Sequence, residues 1–194
     1  MGGSLYFWLM NKVTGDVLDA FDAHCLACVV AARCSETRGS IADRVGLTED
    51  AFRAMLDRYF GGTDLAGFCA RGDEPDETAI EEEDLGLLLL DHRARGEPIE
   101  EWLAAMIAHA CRRSDHLWQD LGLTSRKDVT EMMHRHFPGL ALLNVKDMKW
   151  KKFFYKQLCE REDIRICKSP NCESCSDYEI CFGPEDGDAL VGRP

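Results

Sequence analysis

Leu26-Ala-Cys-Val-Val-Ala-Ala-Arg-Cys34 returns 77 residues later as Leu103-Ala-Ala-Met-Ile-Ala-His-Ala-Cys111. The echo continues in the same order. Gly46-Leu-Thr48 matches Gly122-Leu-Thr124 at an offset of 76, and Met55-x-x-Arg-x-Phe-x-Gly62 matches Met132-x-x-Arg-x-Phe-x-Gly139 at 77. Three matches in one order describe a repeated unit of long helix, short helix, Gly turn and third helix. In the first copy Val17, Leu18, Phe21, Cys25, Cys28, Val29 and Ala32 recur at three-and-four spacing, which predicts a helix capped by Thr14 or Asp16 and ending near Arg33. A short helix over 41–45 stops at Gly46. Thr48 then caps one carrying Phe52, Met55, Leu56 and Phe60 as far as Gly61-Gly62. In the second copy Pro98 suits a first helical turn, and Trp102, Leu103, Met106, Ile107 and Ala110 form the apolar face.

Residues 72–84 hold eight acids and read as a solvated linker entering a helix through the capping box Thr78-x-x-Glu81. No stretch alternates as a strand does. The expected fold is all-α. A duplicated helical domain (24–145, repeats about 24–66 and 101–142) follows an N-terminal stretch (1–23). After it come a basic helix with an irregular cysteine loop (146–185) and a tail (186–194).

At 194 residues the chain has the length to bury a core. A formal net charge of -12 disfavours a general nucleic-acid binder. No apolar run approaches the roughly 20 residues of a membrane span, and Leu5-Tyr-Phe-Trp-Leu-Met10 is too short for a secretory core and lacks a basic flank. A cytoplasmic location is expected, without membrane contact.

Ten cysteines exceed the needs of one site. Four of them, Cys167, Cys172, Cys175 and Cys181, fall in one run spaced C-x4-C-x2-C-x5-C. Thiols this close in an acidic chain without a disulfide framework read as metal ligands. Structural zinc takes two knuckles a dozen or more residues apart, whereas here the knuckles are fused. The first three share the C-x4-C-x2-C spacing of plant-type iron–sulfur proteins. An iron–sulfur site leads, with zinc and a non-metal role behind it. His24-Cys25-x2-Cys28 also has a metal-like look, but both thiols lie in the apolar stripe, and core packing is the better reading. Cys34 and Cys111, being repeated, read as equivalent small buried positions.

From Lys146 to Arg161 the charge balance reverses. Trp150, Phe153, Phe154 and Leu158 would form an apolar stripe of a helix, with Lys149, Lys152 and Lys156 as a basic one. A solvated face explains stacked lysines poorly, because like charges at this spacing repel. A strip that attracts an anion or an acidic partner competes evenly with that plainer reading. Cys159 is a reserve thiol eight residues before Cys167, and His116 a further candidate ligand; singly, such a histidine is more often at a surface or helix end.

Asp147-Met-Lys-Trp-Lys-Lys-Phe-Phe-Tyr-Lys-Gln-Leu-Cys159-Glu, the four-cysteine motif and Cys181-Phe-Gly-Pro-Glu185 together resemble the NifQ family of nitrogen-fixation proteins. Asp115-His-Leu-Trp-Gln-Asp-Leu-Gly-Leu123 and His136-Phe-Pro-Gly139 extend the resemblance over about 24–185. It implies a carrier rather than an enzyme, holding a molybdenum–iron–sulfur cluster and supplying molybdenum for the nitrogenase iron–molybdenum cofactor. The implied partners are the nitrogenase iron protein and the cofactor-assembly scaffold complex. No nucleophile elbow or phosphate loop occurs. The rival from another class is an iron–sulfur or zinc-containing helix-turn-helix regulator, drawn from the pattern over 41–56. Against it, Glu49, Asp50 and Asp57 would meet phosphates with only Arg53 and Arg58 to offset them.

Overall fold

A computed structural model describes residues 2–13, 20–65, 67–69, 80–163 and 172–187. All regular structure among them is helical. The order is α1 (Gly2–Met10), α2 (Ala20–Arg33), α3 (Ile41–Arg44), α4 (Glu49–Phe60), α5 (Ile80–Asp91), α6 (Pro98–Cys111), α7 (Leu117–Asp120), α8 (Arg126–His136), α9 (Pro138–Ala141), α10 (Trp150–Arg161), a 3-10 turn (Cys172–Ser174) and α11 (Tyr178–Phe182). The expected caps at Thr14, Asp16 and Thr78 lie outside the described residues, as does Cys167.

The long helices α2 and α6 are buried nearly all round, not along one stripe. Ten of the 14 residues of α2 and eleven of the 14 of α6 are buried, as befits helices at the centre of a domain. The outer helices are amphipathic: α4 buries Phe52, Met55, Leu56, Tyr59 and Phe60, and α8 buries Val129, Met132, Met133 and His136. The Thr48 cap is in place, with its side chain accepting from the Ala51 N–H, and Gly61 ends α4 at φ 65°. Pro98 opens α6 at its first position.

Both halves run long helix, short helix, turn glycine, third helix, and they interlock through the glycines. Gly46 (φ +78°) lies so close to α6 that a Cβ would sit 2.5 Å from His109 Cβ and 3.0 Å from the Ala105 carbonyl oxygen. Gly122 (φ +69°) lies against α2, where a Cβ would sit 2.6 Å from Ala32 Cβ and 2.7 Å from the Cys28 carbonyl oxygen. Ala105 and His109 are the 77-residue counterparts of Cys28 and Ala32. Each turn thus seats on the long helix of the other half at the same register. Gly122→Ala is expected to cost about 3 kcal/mol, from left-handed backbone and overpacking together. Gly86→Ala, inside α5 with open space around it, should instead stabilise by up to about 1 kcal/mol. Urea unfolding of the two variants checks the contrast.

The helix α1 is more than an extension. Leu5 and Leu9 are buried against α2, and Tyr6 Oη and His24 Nδ1 are 2.8 Å apart. As α1 packs along α2, α5 packs along α6. The α5–α6 turn is held by Glu100, whose fully buried carboxylate accepts from the N–H groups of Ala94, Arg95, Gly96 and Glu97.

Between α8 and α10, Arg126 ties the chain down. It pairs with Glu185 and Asp147 and donates to the Asp147 and Met148 carbonyls at 3.0 and 2.9 Å. The start of α10 and the chain beyond α11 are thereby fixed to the helical core.

Candidate functional site

The start of α10 and α11 meet directly. The Lys149 N–H donates to the Cys181 carbonyl at 2.8 Å, and Lys149 Nζ donates to the Glu179 carbonyl at 3.1 Å. The α10 aromatics Trp150, Phe153 and Phe154 are buried, as their spacing predicts, and anchor this end of the helix. Cys181 and Phe182 pack on the core edge, while Tyr178 and Ile180 face out.

The cysteine segment is less irregular than expected. Cys172 opens the 3-10 turn, and the Cys175 N–H donates to the Cys172 carbonyl at 3.1 Å. Cys181 rides on α11, whose first bonds run from Ile180 and Cys181 back to the Asp177 carbonyl. Five residues are too few for helical periodicity to show in sequence. Pro170 precedes both elements, and Gly183 ends the second.

The described cysteines fall into two grades of exposure, with Cys69 and Cys159 half-buried like the motif thiols. Cys172, Cys175 and Cys181 are half-buried and reachable, whereas Cys25, Cys28, Cys34 and Cys111 are buried. Burial pushes the Cys28 and Cys111 thiols up to about 12, and Cys25 further in the same direction. A thiol held neutral is a poor ligand, since metals bind the thiolate. His24 lies 3.7 Å from Cys28 Sγ, with its own pKa lowered by burial, so this motif belongs to the core as expected. Among the described residues, which leave out Cys167, no three Cys, His, Asp or Glu side chains are grouped so as to hold a metal ion.

Cys159 occupies the last turn of α10, nine residues beyond Trp150. That places it roughly 14 Å along the helix from the point where Cys181 docks. His116 is closer to the segment. It is the N-cap of α7, and its Nδ1 is 4.0 Å from Glu185 Oε2. With Ile180 and Glu185 it lines a cavity of about 390 Å³ whose other walls are the 114–117 turn and residues 149–152.

The expected lysine stripe is redistributed, because α10 begins one residue after Lys149. Lys149 is the N-cap, Lys152 is exposed at the cavity wall, and Lys156 lies a turn further on, 2.5 Å from Glu160. Lys151, which no pattern singled out, turns inward, pairs with Asp120 and donates to the Arg113 carbonyl. His134 is exposed on α8. His136 Nε2 and Asp22 Oδ1 form a buried pair 2.9 Å apart.

The helix-turn-helix reading loses its geometry. The helix α3 has four residues, and Arg44 is buried with its guanidinium on the Arg38 and Gly39 carbonyls. The exposed face of α4 offers Glu49, Asp50 and Asp57 beside Arg53 and Arg58. Among the described residues no helix is long and apolar enough to cross a membrane.

No solved structure matches this fold. The family model NifQ matches residues 25–183. The chain is 51% identical over 152 residues to Protein NifQ of Azotobacter vinelandii, covering 73% of this chain and 78% of the relative. It is 36% identical over 154 residues to Protein NifQ of Rhodobacter capsulatus, covering 78% and 83%. With the Protein NifQ homolog of Sinorhizobium fredii it shares 34% identity over 178 residues, covering 89% and 77%. The match runs from α2 through α11 and takes in all four cysteines of the motif, and on that extent the chain belongs to the NifQ family.

Proposed function

We propose that this protein is a nitrogen-fixation metallochaperone. It carries molybdenum in an iron–sulfur cluster held by Cys167, Cys172, Cys175 and Cys181, and donates it for assembly of the nitrogenase iron–molybdenum cofactor. The observation that carries this reading is the division of the thiols. The described motif cysteines are half-buried and Cys181 docks on a basic helix start, while burial raises the thiols of Cys25, Cys28 and Cys111 in the core. The donor chemistry fits the group: soft thiolates on short turns suit iron, and in a cluster different thiolates bind different irons. When bound, the cluster supplies sulfide bridges on which molybdenum can be held and exchanged. The chain's own part is to present thiolates, keep the segment against α10 through the Lys149–Cys181 bond, and leave it open for hand-over. That role is transfer of cargo rather than turnover, in a cytoplasmic protein.

Anaerobic purification with analysis of iron, acid-labile sulfide and molybdenum, joined to electron paramagnetic resonance, tests it. Iron and sulfide are expected, with molybdenum retained after growth on molybdate. Stoichiometric zinc without iron would reject the proposal.

Delivery to the nitrogenase iron protein or the scaffold complex would be steered by Lys149, Lys152 and Lys156, a basic strip on an acidic chain. Lys156→Glu leaves the cavity wall intact. It should preserve metal content but slow molybdenum transfer severalfold at low ionic strength, with the defect shrinking in salt. Transfer at the parental rate would remove Lys156 from docking.

A further inference from the structure

The helix α10 begins with the wrong charges. Lys149 is its N-cap, and Lys151 and Lys152 occupy its second and third positions. Helix N-termini carry partial positive charge and free N–H groups, and they favour acids there, not lysines. Lys149 can accept no capping hydrogen bond, and the N-cap side chain makes none. In a chain with 35 acids and 23 lysines and arginines, three lysines at this one helix start leave a concentrated positive field. Lys151 meets it with its own anion, Asp120. Among the described residues, Lys149 Nζ reaches a carbonyl, Glu179 O, rather than a carboxylate.

This helix start forms one wall of the cavity of about 390 Å³. Ser114 and His116, a hydroxyl and an imidazole able to donate hydrogen bonds, also line it. Two carboxylates also line the space. Glu185 is engaged by Arg126, and Asp115 is exposed. Ile180, the neighbour of Cys181 in the cysteine segment, lines it too.

We propose that this cavity is a binding site for a tetrahedral dianionic oxyanion, held by Lys149, Lys152, Ser114, His116 and the first N–H groups of α10. Resting on the cargo reading above, it assigns the cavity as the place where molybdenum is held as molybdate beside the cysteine segment. Lysine ammonium groups and helix N–H groups are the usual partners of such anions. No change of oxidation state occurs at this step; the oxyanion binds and leaves intact.

The test is equilibrium dialysis of the full chain against molybdate, in chloride buffer of fixed ionic strength, with sulfate as competitor. The parent should bind one molybdate per chain, displaced by sulfate but not by the same ionic strength of chloride. Lys152→Gln should weaken binding about tenfold, and Lys149→Gln with Lys152→Gln about a hundredfold. Circular dichroism should be unchanged for Lys152→Gln, whose side chain is exposed. Cys172→Ser separates the two readings: it should bind molybdate like the parent even where iron is lost. An iron-free parent that still binds molybdate through these lysines would defeat the cluster reading alone. Parental binding by Lys152→Gln, displacement by chloride, or loss of molybdate in Cys172→Ser would each overturn the cavity assignment.

Discussion

Glu100→Ala is expected to destabilise the protein by about 3 kcal/mol or more, although Glu100 touches no candidate ligand. Its carboxylate is fully buried and accepts from Arg95 N–H at 2.9 Å, Gly96 N–H at 2.5 Å and Glu97 N–H at 2.9 Å, with Ala94 N–H at 3.1 Å. The Ala94 N–H is shared with the His136 carbonyl at 2.9 Å, so three donors depend on Glu100 alone for a protein acceptor among the described residues. Alanine would remove three hydrogen bonds to a charged group, each worth about 1.5–3 kcal/mol, from turn residues that are themselves partly or fully exposed. Entry of water into the vacated space would recover part of that, which sets the estimate below the low end of the sum. Glu100→Gln keeps one acceptor oxygen but points an NH2 at other donors, so it should cost about half as much. Against a typical stability of about 5–15 kcal/mol, the alanine change is large. Chemical unfolding monitored by circular dichroism decides it: a loss below about 1 kcal/mol would mean that the turn reorganises around the missing carboxylate.

What could be read in advance follows from range. Local signals read well: Thr48 caps α4, Gly61 ends it, Pro98 opens α6, and the aromatic spacing of α10 buries Trp150, Phe153 and Phe154. The metal-like His24-Cys25-x2-Cys28 is core because α2 is buried nearly all round; the periodicity marked only one apolar face, but both thiols lie on it. Groups that act across the chain could not be read. Glu100 looks like any acid in a first helical turn until the loop folds over it. Arg126 reaches residues 21 and 59 positions away, and His136 meets Asp22 across 114. The cavity joins the 114–117 turn, residues 149–152 and α11, three segments with no shared pattern. The lysines at its wall were visible as charge. Their place at the head of a helix came only from the boundary at Trp150, which no capping residue announces.

The last expected result separates the two kinds of cysteine. Cys172→Ser, Cys175→Ser or Cys181→Ser should strip most of the iron while leaving the thermal unfolding of the helical core nearly unchanged. Serine is close in size, so the turn bond from Cys175 N–H to the Cys172 carbonyl and the bond from Lys149 N–H to the Cys181 carbonyl, both made by backbone, can persist. What changes is the donor. A serine hydroxyl stays protonated near neutral pH and offers hard oxygen where iron prefers soft thiolate. Cys28→Ala should do the reverse. Cys28 is fully buried, its thiol is held neutral by the surrounding core, and Gly122 seats against its carbonyl. Removing the sulfur leaves a small void beneath that contact and should cost about 1–2 kcal/mol, with metal content unaltered. Iron and acid-labile sulfide analysis on each variant, paired with its unfolding midpoint, gives a two-way table of cluster content against stability. Cys28→Ala losing iron while Cys172→Ser keeps it would invert the assignment and place the site in the helical core.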